Sequence, residues 1–252
     1  MAIVWAKQLA NKHYEVRRAG QSIRLYTDGV FHTQYNPSWP ITRGVWDLLM
    51  LPAFFNEVSS IKRVLVLGAG GGAVIHLLDR YIQPNEIVAV DLDPVHLSIA
   101  RRFFGIKPSM ATLVKADAVE WLRSYKGPTF DMIIDDLFAE GQSDEESDGV
   151  RAVSLTKSWF NLLDRHLSKN GVLVMNVFSS KELRRSAYFT DAAIAKKFLS
   201  AFSLRLPRYE NIIAAFLKKK SSPMELRKNI SNIAGLNARS GLNKLDIRVN
   251  TM

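Results

Sequence analysis

Between Arg63 and Leu217 the chain alternates short apolar runs with amphipathic stretches. The apolar runs Arg63–Leu67, Ile87–Val90, Ala111–Lys115, Met132–Asp135, Val172–Asn176, Ser203–Arg205 and Ile212–Leu217 read as strands. Helices are predicted in the gaps, over Gly72–Tyr81, Pro94–Phe104, Ala118–Ser124, Lys157–Leu167 and Asp191–Phe202. One start is sharply marked: Asp93-Pro94 sets a capping carboxylate before a proline at the first helical position. Alternation of this kind predicts an α/β fold, with a doubly wound, mostly parallel, seven-stranded sheet covered on both faces. The last two strands lie too close together for a crossover helix. They are expected as an antiparallel pair at the sheet edge.

Upstream the period changes. In residues 12–36 apolar and polar positions alternate, and Ala19-Gly20 and Asp28-Gly29 punctuate them as turns, so a small antiparallel β-domain is expected. From Ile41 to Phe55 the apolar spacing (Val45, Leu48, Leu49, Phe55) predicts a linking helix despite Pro52. The expected division is a β-meander with its helix over 1–56, a nucleoside-binding domain over 57–220, and a basic, partly helical tail over 221–252. Met224–Ile233 supplies the tail's helix and the remainder is read as loose. Ala139–Gly149 is polar and acidic, and reads as a flexible loop interrupting the pattern.

Composition narrows the class. At 252 residues, 47% hydrophobic and 23% charged, the chain can bury one large core plus an appendage. The absence of cysteine excludes disulfides and thiolate metal sites. No basic leader runs into an apolar segment and no apolar run is long enough to cross a bilayer, so a cytoplasmic location without membrane contact is expected. The net charge of +10 is local: residues 1–180 balance at 19 basic and 19 acidic side chains, and the whole excess falls in 181–252. Without aromatic interleaving, that basic stretch reads first as a solvated face, with nucleic acid, an acidic partner or an acidic patch on a second subunit as the less favoured readings.

The candidate chemistry lies at the first βαβ unit. Arg63-Val-Leu-Val-Leu-Gly68-Ala-Gly70-Gly-Gly72 follows a strand and opens a helix, and the next strand ends in Asp91-Leu92-Asp93. Glycines there let backbone approach a ligand, and an acid 19 residues past Gly72 suits the two ribose hydroxyls. No Lys-Ser/Thr follows, which excludes a triphosphate loop. Asp117 can accept from an adenine amino group, cap a helix, or both. Of the adjacent Asp135 and Asp136, only one can face the crevice at the strand ends, and Asp136 is chosen. His13, His32, His76, His96 and His166 are scattered, so no metal site is expected. Trp39, Trp46, Trp121 and Trp159 read as core.

These residues resemble the spermidine synthase-like proteins, within the S-adenosylmethionine-dependent methyltransferase folds. The resemblance covers roughly residues 14–217 and includes Leu25-Tyr-Thr-Asp-Gly29, Leu51-Pro-Ala-Phe, the glycine loop, Val90-Asp-Leu-Asp93, Ala116-Asp-Ala-Val-Glu-Trp-Leu, Phe130-Asp-Met-Ile-Ile-Asp-Asp136 and Gly171-Val-Leu-Val-Met-Asn. It implies that Gly68, Gly70 and Gly72 pass under the donor's amino-acid or aminopropyl part, and that Asp91 with Leu92 holds the ribose. It further implies that Asp117 and Ala118 meet adenine and that Asp136 stands beside the attacking amine. The implied co-substrate is S-adenosylmethionine or its decarboxylated form. The implied partners are a small-molecule acceptor such as a polyamine and a second copy in a homodimer.

Three departures bear on the mechanism, the first of them on the donor's aminopropyl ammonium. Polyamine synthases carry an Asp where Gly71 stands, a second acid where Ala139 stands, and Tyr-His-Glu where Val45-Trp46-Asp47 stands. A polyamine is a multiple cation, and each charge-assisted hydrogen bond contributes about 1.5–3 kcal/mol. Two lost acids therefore weaken its binding by about 3–6 kcal/mol. On that ground methyl transfer is the favoured expectation. Aminopropyl transfer to a polyamine is the alternative, and a nucleoside-binding protein without turnover is a further one.

Overall fold

The structure, a computed structural model, describes residues 1–138, 151–236 and 247–252. The acidic stretch Ala139–Gly149 lies outside the described residues. Four strands, β1 (Ala2–Leu9), β2 (Lys12–Ala19), β3 (Ser22–Thr27) and β4 (Val30–Tyr35), form an antiparallel meander in that order. A short helix α1 (Val45–Met50) runs into a 3₁₀ turn over Leu51–Phe55. The predicted single helix over 41–55 is thus cut down, because Pro52 opens a tighter turn.

The larger sheet is built from β5 (Arg63–Leu67), β6 (Glu86–Asp91), β7 (Thr112–Lys115), β8 (Phe130–Asp135), β9 (Leu167–Val177), β10 (Ser200–Arg205), β11 (Ile212–Leu217) and β12 (Arg248–Thr251). Their spatial order is β12-β10-β11-β9-β8-β5-β6-β7. Strands β5 to β9 are parallel to one another, while β11, β10 and β12 pair antiparallel. Among the described residues the sheet therefore has eight strands where seven were expected. The eighth, β12, comes from the chain end that was read as loose, and it pairs with β10. Helices α2 (Ala73–Tyr81), α3 (Pro94–Arg102), α4 (Ala118–Ser124) and α5 (Lys157–His166) supply the crossovers, and α9 (Pro223–Ser231) packs on the 3₁₀ turn.

The alternation along β5 sorts the core. Val64 and Val66 face one buried cluster with Leu48, Phe54 and Ile75, whereas Leu65 and Leu67 face the other with Trp159 and Phe160. A third cluster, with Tyr14, Val16 and Leu25 against Ile99 and Phe104, fastens the small sheet to α3.

Two further expectations fail. Of the predicted helix over 191–202 only a single turn forms, α8 (Ala192–Ala195), and two short helices that were not predicted, α6 (Ser180–Arg185) and α7 (Ala187–Thr190), precede it. Ser200 to Phe202 instead pair with Leu217 to Ala215. Strand β1 was not foreseen, because nearly every residue in it is exposed and no buried face imposes a period. Among the described residues, no helix is long and apolar enough to cross a membrane.

Candidate active site

Strand order reverses around β5, with β6 on one side and β8 on the other. In open parallel sheets this is where a crevice opens beyond the carboxyl ends of the strands. A cavity of about 730 Å³ lies there. Of the residues singled out from the sequence, Gly68, Gly70, Asp91, Leu92, Asp117, Ala118 and Asp136 line it.

Gly72 does not line the cavity. It caps α2 with φ of 86°, and a Cβ there would lie 2.8 Å from Ile106, so packing against the protein explains this glycine. Gly68 is similar in part. Its φ is 89°, and a Cβ would fall 2.3 Å from the Asp136 carbonyl oxygen, so the glycine lets β5 and β8 close on each other below the cavity. A side chain on Gly71 would start 2.8 Å from the Phe104 ring and 3.0 Å from Thr33 Cγ2. The place where polyamine synthases hold an acid is taken up here by those two side chains.

Asp91 ends β6 and is 8% exposed. Its Oδ2 accepts from Gly70 N at 2.9 Å and its Oδ1 from Asp93 N at 2.8 Å. The carboxylate thus ties the glycine loop to the turn after β6, and about two of its four lone-pair sites remain for a ligand. Leu92 beside it is 65% exposed. Asp117 caps α4, its Oδ1 accepting from Val119 N and Glu120 N at 2.9 Å each. Its Oδ2 accepts no bond from the described residues.

Of the two acids ending β8, Asp136 lines the cavity and Asp135 turns away from it. Asp135 is fully buried and accepts from Arg151 Nη2 at 2.5 Å and Trp159 Nε1 at 2.8 Å. Burial pushes the Asp136 carboxyl up to about 6, against the hydrogen bond from Asn176 Nδ2 at 2.8 Å, and the neighbouring Asp135 adds to the rise. Just beyond β8 an antiparallel bridge joins Phe138 to Arg151, and Ala152 N donates to Leu137 O at 3.1 Å.

The small sheet supplies a wall that sequence reasoning missed. Tyr14, His32, Thr33, Trp46 and His96 also line the cavity. Tyr14 Oη donates to Asp93 Oδ2 at 2.7 Å, and the same Asp93 caps α3 through Val95 N. His96 Nε2 lies 2.8 Å from Thr27 Oγ1, and the rings of His32 and His96 are 5.0 Å apart. Burial, then the neighbouring His96, drive the His32 imidazole down to about 4. Nothing in the spacing of these residues along the chain announces their meeting, because the small sheet and α3 bring them together. Among the described residues, no group of three or more His, Asp or Glu is placed to hold a metal.

Of the remaining departures, the Val45-Trp46-Asp47 stretch acquires a structural account, and Ala139 lies outside the described residues. Asp47 is fully buried and accepts from Thr42 N at 3.3 Å and Gly44 N at 3.2 Å, so it closes the start of α1, and burial pushes it up to about 7. Of the tryptophans read as core, Trp159 is buried, whereas Trp46 meets the cavity and Trp39 is 74% exposed.

Comparison with known proteins turns on this same region. Residues 47–229 match the spermine/spermidine synthase domain. The polyamine aminopropyltransferase of Chromobacterium violaceum is 29% identical over 129 residues, half of this chain and 46% of the relative. Polyamine aminopropyltransferase 2 of Ralstonia nicotianae is 27% identical over 71% of this chain and 34% of its own length. The chain thus spans less than half the length of these curated relatives. Spermidine synthase from Thermotoga maritima superimposes with a TM-score of 0.67, covering 98% of this chain and 84% of that one at 15% identity, a likeness of fold. Human methyltransferase-like protein 13 gives 0.57 over 73% of the chain at 19% identity. The expectation of methyl transfer is overturned: the domain match and these relatives fall on the aminopropyl-transferring side, and the methyltransferase likeness is one of fold. The chain belongs to the spermine/spermidine synthase domain family.

Proposed function

We propose that the protein transfers an aminopropyl group from decarboxylated S-adenosylmethionine to an amine nitrogen of a polyamine. The observation that supports this most is the convergence of Asp91, Asp117 and Asp136 on one cavity, inside the stretch matched by the family. In this reading Asp91 accepts the ribose hydroxyls with the lone pairs left over from Gly70 and Asp93. Asp117 Oδ2 takes the adenine amino group while Oδ1 caps α4. Gly68 and Gly70 pass beneath the sulfonium.

The chemistry is an in-line displacement. The acceptor's nitrogen lone pair forms a bond to the aminopropyl carbon next to sulfur. The C–S bond breaks with its electrons going to sulfur, and neutral methylthioadenosine leaves. The new ammonium gives up a proton to Asp136. A carboxylate held near 6 is ionised at neutral pH yet close enough in proton affinity to take part. Alignment of nitrogen, carbon and sulfur is the larger contribution of such a site. An Asp136 carboxylate also offsets one positive charge of the acceptor, whose burial without a partner would be severely unfavourable.

The test is incubation with donor labelled in the aminopropyl group and a diamine acceptor, followed by chromatography. A labelled polyamine and methylthioadenosine in equal amounts are expected. Release of neither, with the donor raising the melting temperature of the protein, would overturn the reading.

A further inference from the structure

Asp136 is bonded by one side-chain donor among the described residues, Asn176 Nδ2, which reaches Oδ1 at 2.8 Å. Asn176 is buried near the end of β9. Its own Oδ1 accepts from Asn211 Nδ2 at 3.0 Å, and its main-chain carbonyl accepts from Arg151 Nη1. Asn211 stands immediately before β11, the antiparallel neighbour of β9.

A carboxamide has a donating end and an accepting end, and the two are nearly equal in shape. A buried asparagine beside a carboxylate can therefore present either one. With its oxygen turned to Asp136 it would face an acceptor-only anion and raise that group's proton affinity. With its nitrogen turned to Asp136 it stabilises the ionised form.

We propose that Asn211 is a positioning residue for the reaction. By donating to Asn176 Oδ1 it engages the end of the amide opposite to Asp136, reinforces the orientation in which Asn176 donates to that acid, and so helps hold its rotamer and proton affinity. The inference rests on the reading of Asp136 given above only for its effect on turnover. The charged groups around Asp136 are Asp135, the preceding residue and the last of β8, Arg151 behind Asp135, and Asp91 at the end of β6. Asp135 and Asp91 raise its proton affinity and Arg151 lowers it, so the amide pair works against two neighbouring acids.

The test uses Asn211→Asp and Asn211→Leu in the full chain. The Asp variant has nearly the same shape but, once ionised, only accepts, which forces the Asn176 amide to turn over. The Leu variant removes the reinforcing donor without adding charge. The Asp136 carboxyl carbon is followed by NMR in protein labelled with ¹³C aspartate, its signal identified by its absence in Asp136→Asn. Upward shifts of about one pH unit for Asn211→Asp and about half a unit for Asn211→Leu are expected. Asn211→Gln, which keeps a donor, should restore much of the wild-type value.

A midpoint moving by less than about 0.3 unit in both variants overturns the proposal. So does a shift in the Asp variant alone, since that would be the added charge and not the amide. Turnover separates the two levels of inference. If the NMR midpoint moves and the acid limb of kcat/KM does not follow, the amide relay stands and the role of Asp136 as proton acceptor falls.

Discussion

Arg151→Met would cut the buried support beneath the candidate site. The guanidinium is 1% exposed and Asp135 0%, with 2.5 Å between Nη2 and Oδ2. Two further bonds run from Arg151, Nε to Val153 O at 3.2 Å and Nη1 to the Asn176 carbonyl. Methionine fills most of the stem's volume but strands a carboxylate in the interior, with Trp159 Nε1 as its remaining side-chain donor. Removing one partner of a buried pair costs about 3–5 kcal/mol, because the other charge is left uncompensated. For a chain of this size, that corresponds to a fall in melting temperature of about 6–20 °C. Urea unfolding of the variant measures it directly. The double variant Asp135→Asn/Arg151→Met removes the charge and keeps an acceptor for Trp159, so it should recover more than half of the loss. A single variant within about 1 kcal/mol of wild type, or a double variant no better than the single, would refute the reasoning.

Three other outcomes follow from the geometry. Gly68→Ala combines a left-handed φ with a Cβ 2.3 Å from the Asp136 carbonyl. It should destabilise by about 2–6 kcal/mol in urea unfolding, and a loss below about 1 kcal/mol would contradict the packing. Asp136 must be ionised to take a proton, so kcat/KM should fall as pH drops through about 6. Asp136→Asn should cost about a hundredfold or more in kcat, and retention of wild-type kcat would refute its role. Asp47 ionises near its ordinary 3.8 in the unfolded chain and near 7 in the folded one, so the native state keeps the extra proton between those values. Stability should then decline as pH rises through that window. Asp47→Asn should gain on wild type by on the order of 4 kcal/mol from pH 4 to 8, and a constant difference in urea titrations would count against it.

The parallel strands were legible because a strand buried on both faces must be apolar throughout, as Val64 to Leu67 and Ile87 to Val90 are. Asp93 was legible as a cap, since Asp-Pro fixes a helix start locally. The residues lost to sequence reasoning are those whose place is set by distant pairing. Ala192 to Ala195 favours helix, but from Ser200 onward the ladder to β11 prevails over that preference. Val4 and Ile3 in β1 have no buried face to mark them. At the site, Asp91, Asp117 and Asp136 could be picked out because each ends a strand or opens a helix. Tyr14, His32 and His96 could not, because their meeting depends on how the small sheet docks on α3. The glycines carried a mixed message: Gly68 and Gly72 serve contacts within the protein as much as any ligand.

The bridge between Phe138 and Arg151 has a consequence for how far a disturbance can travel. The guanidinium that neutralises Asp135 also holds the Asn176 carbonyl, and the same residue pairs with Phe138 in the cavity lining. A change in the buried floor therefore reaches the lining of the cavity through a single residue, so the framework and the candidate site answer to the same substitution.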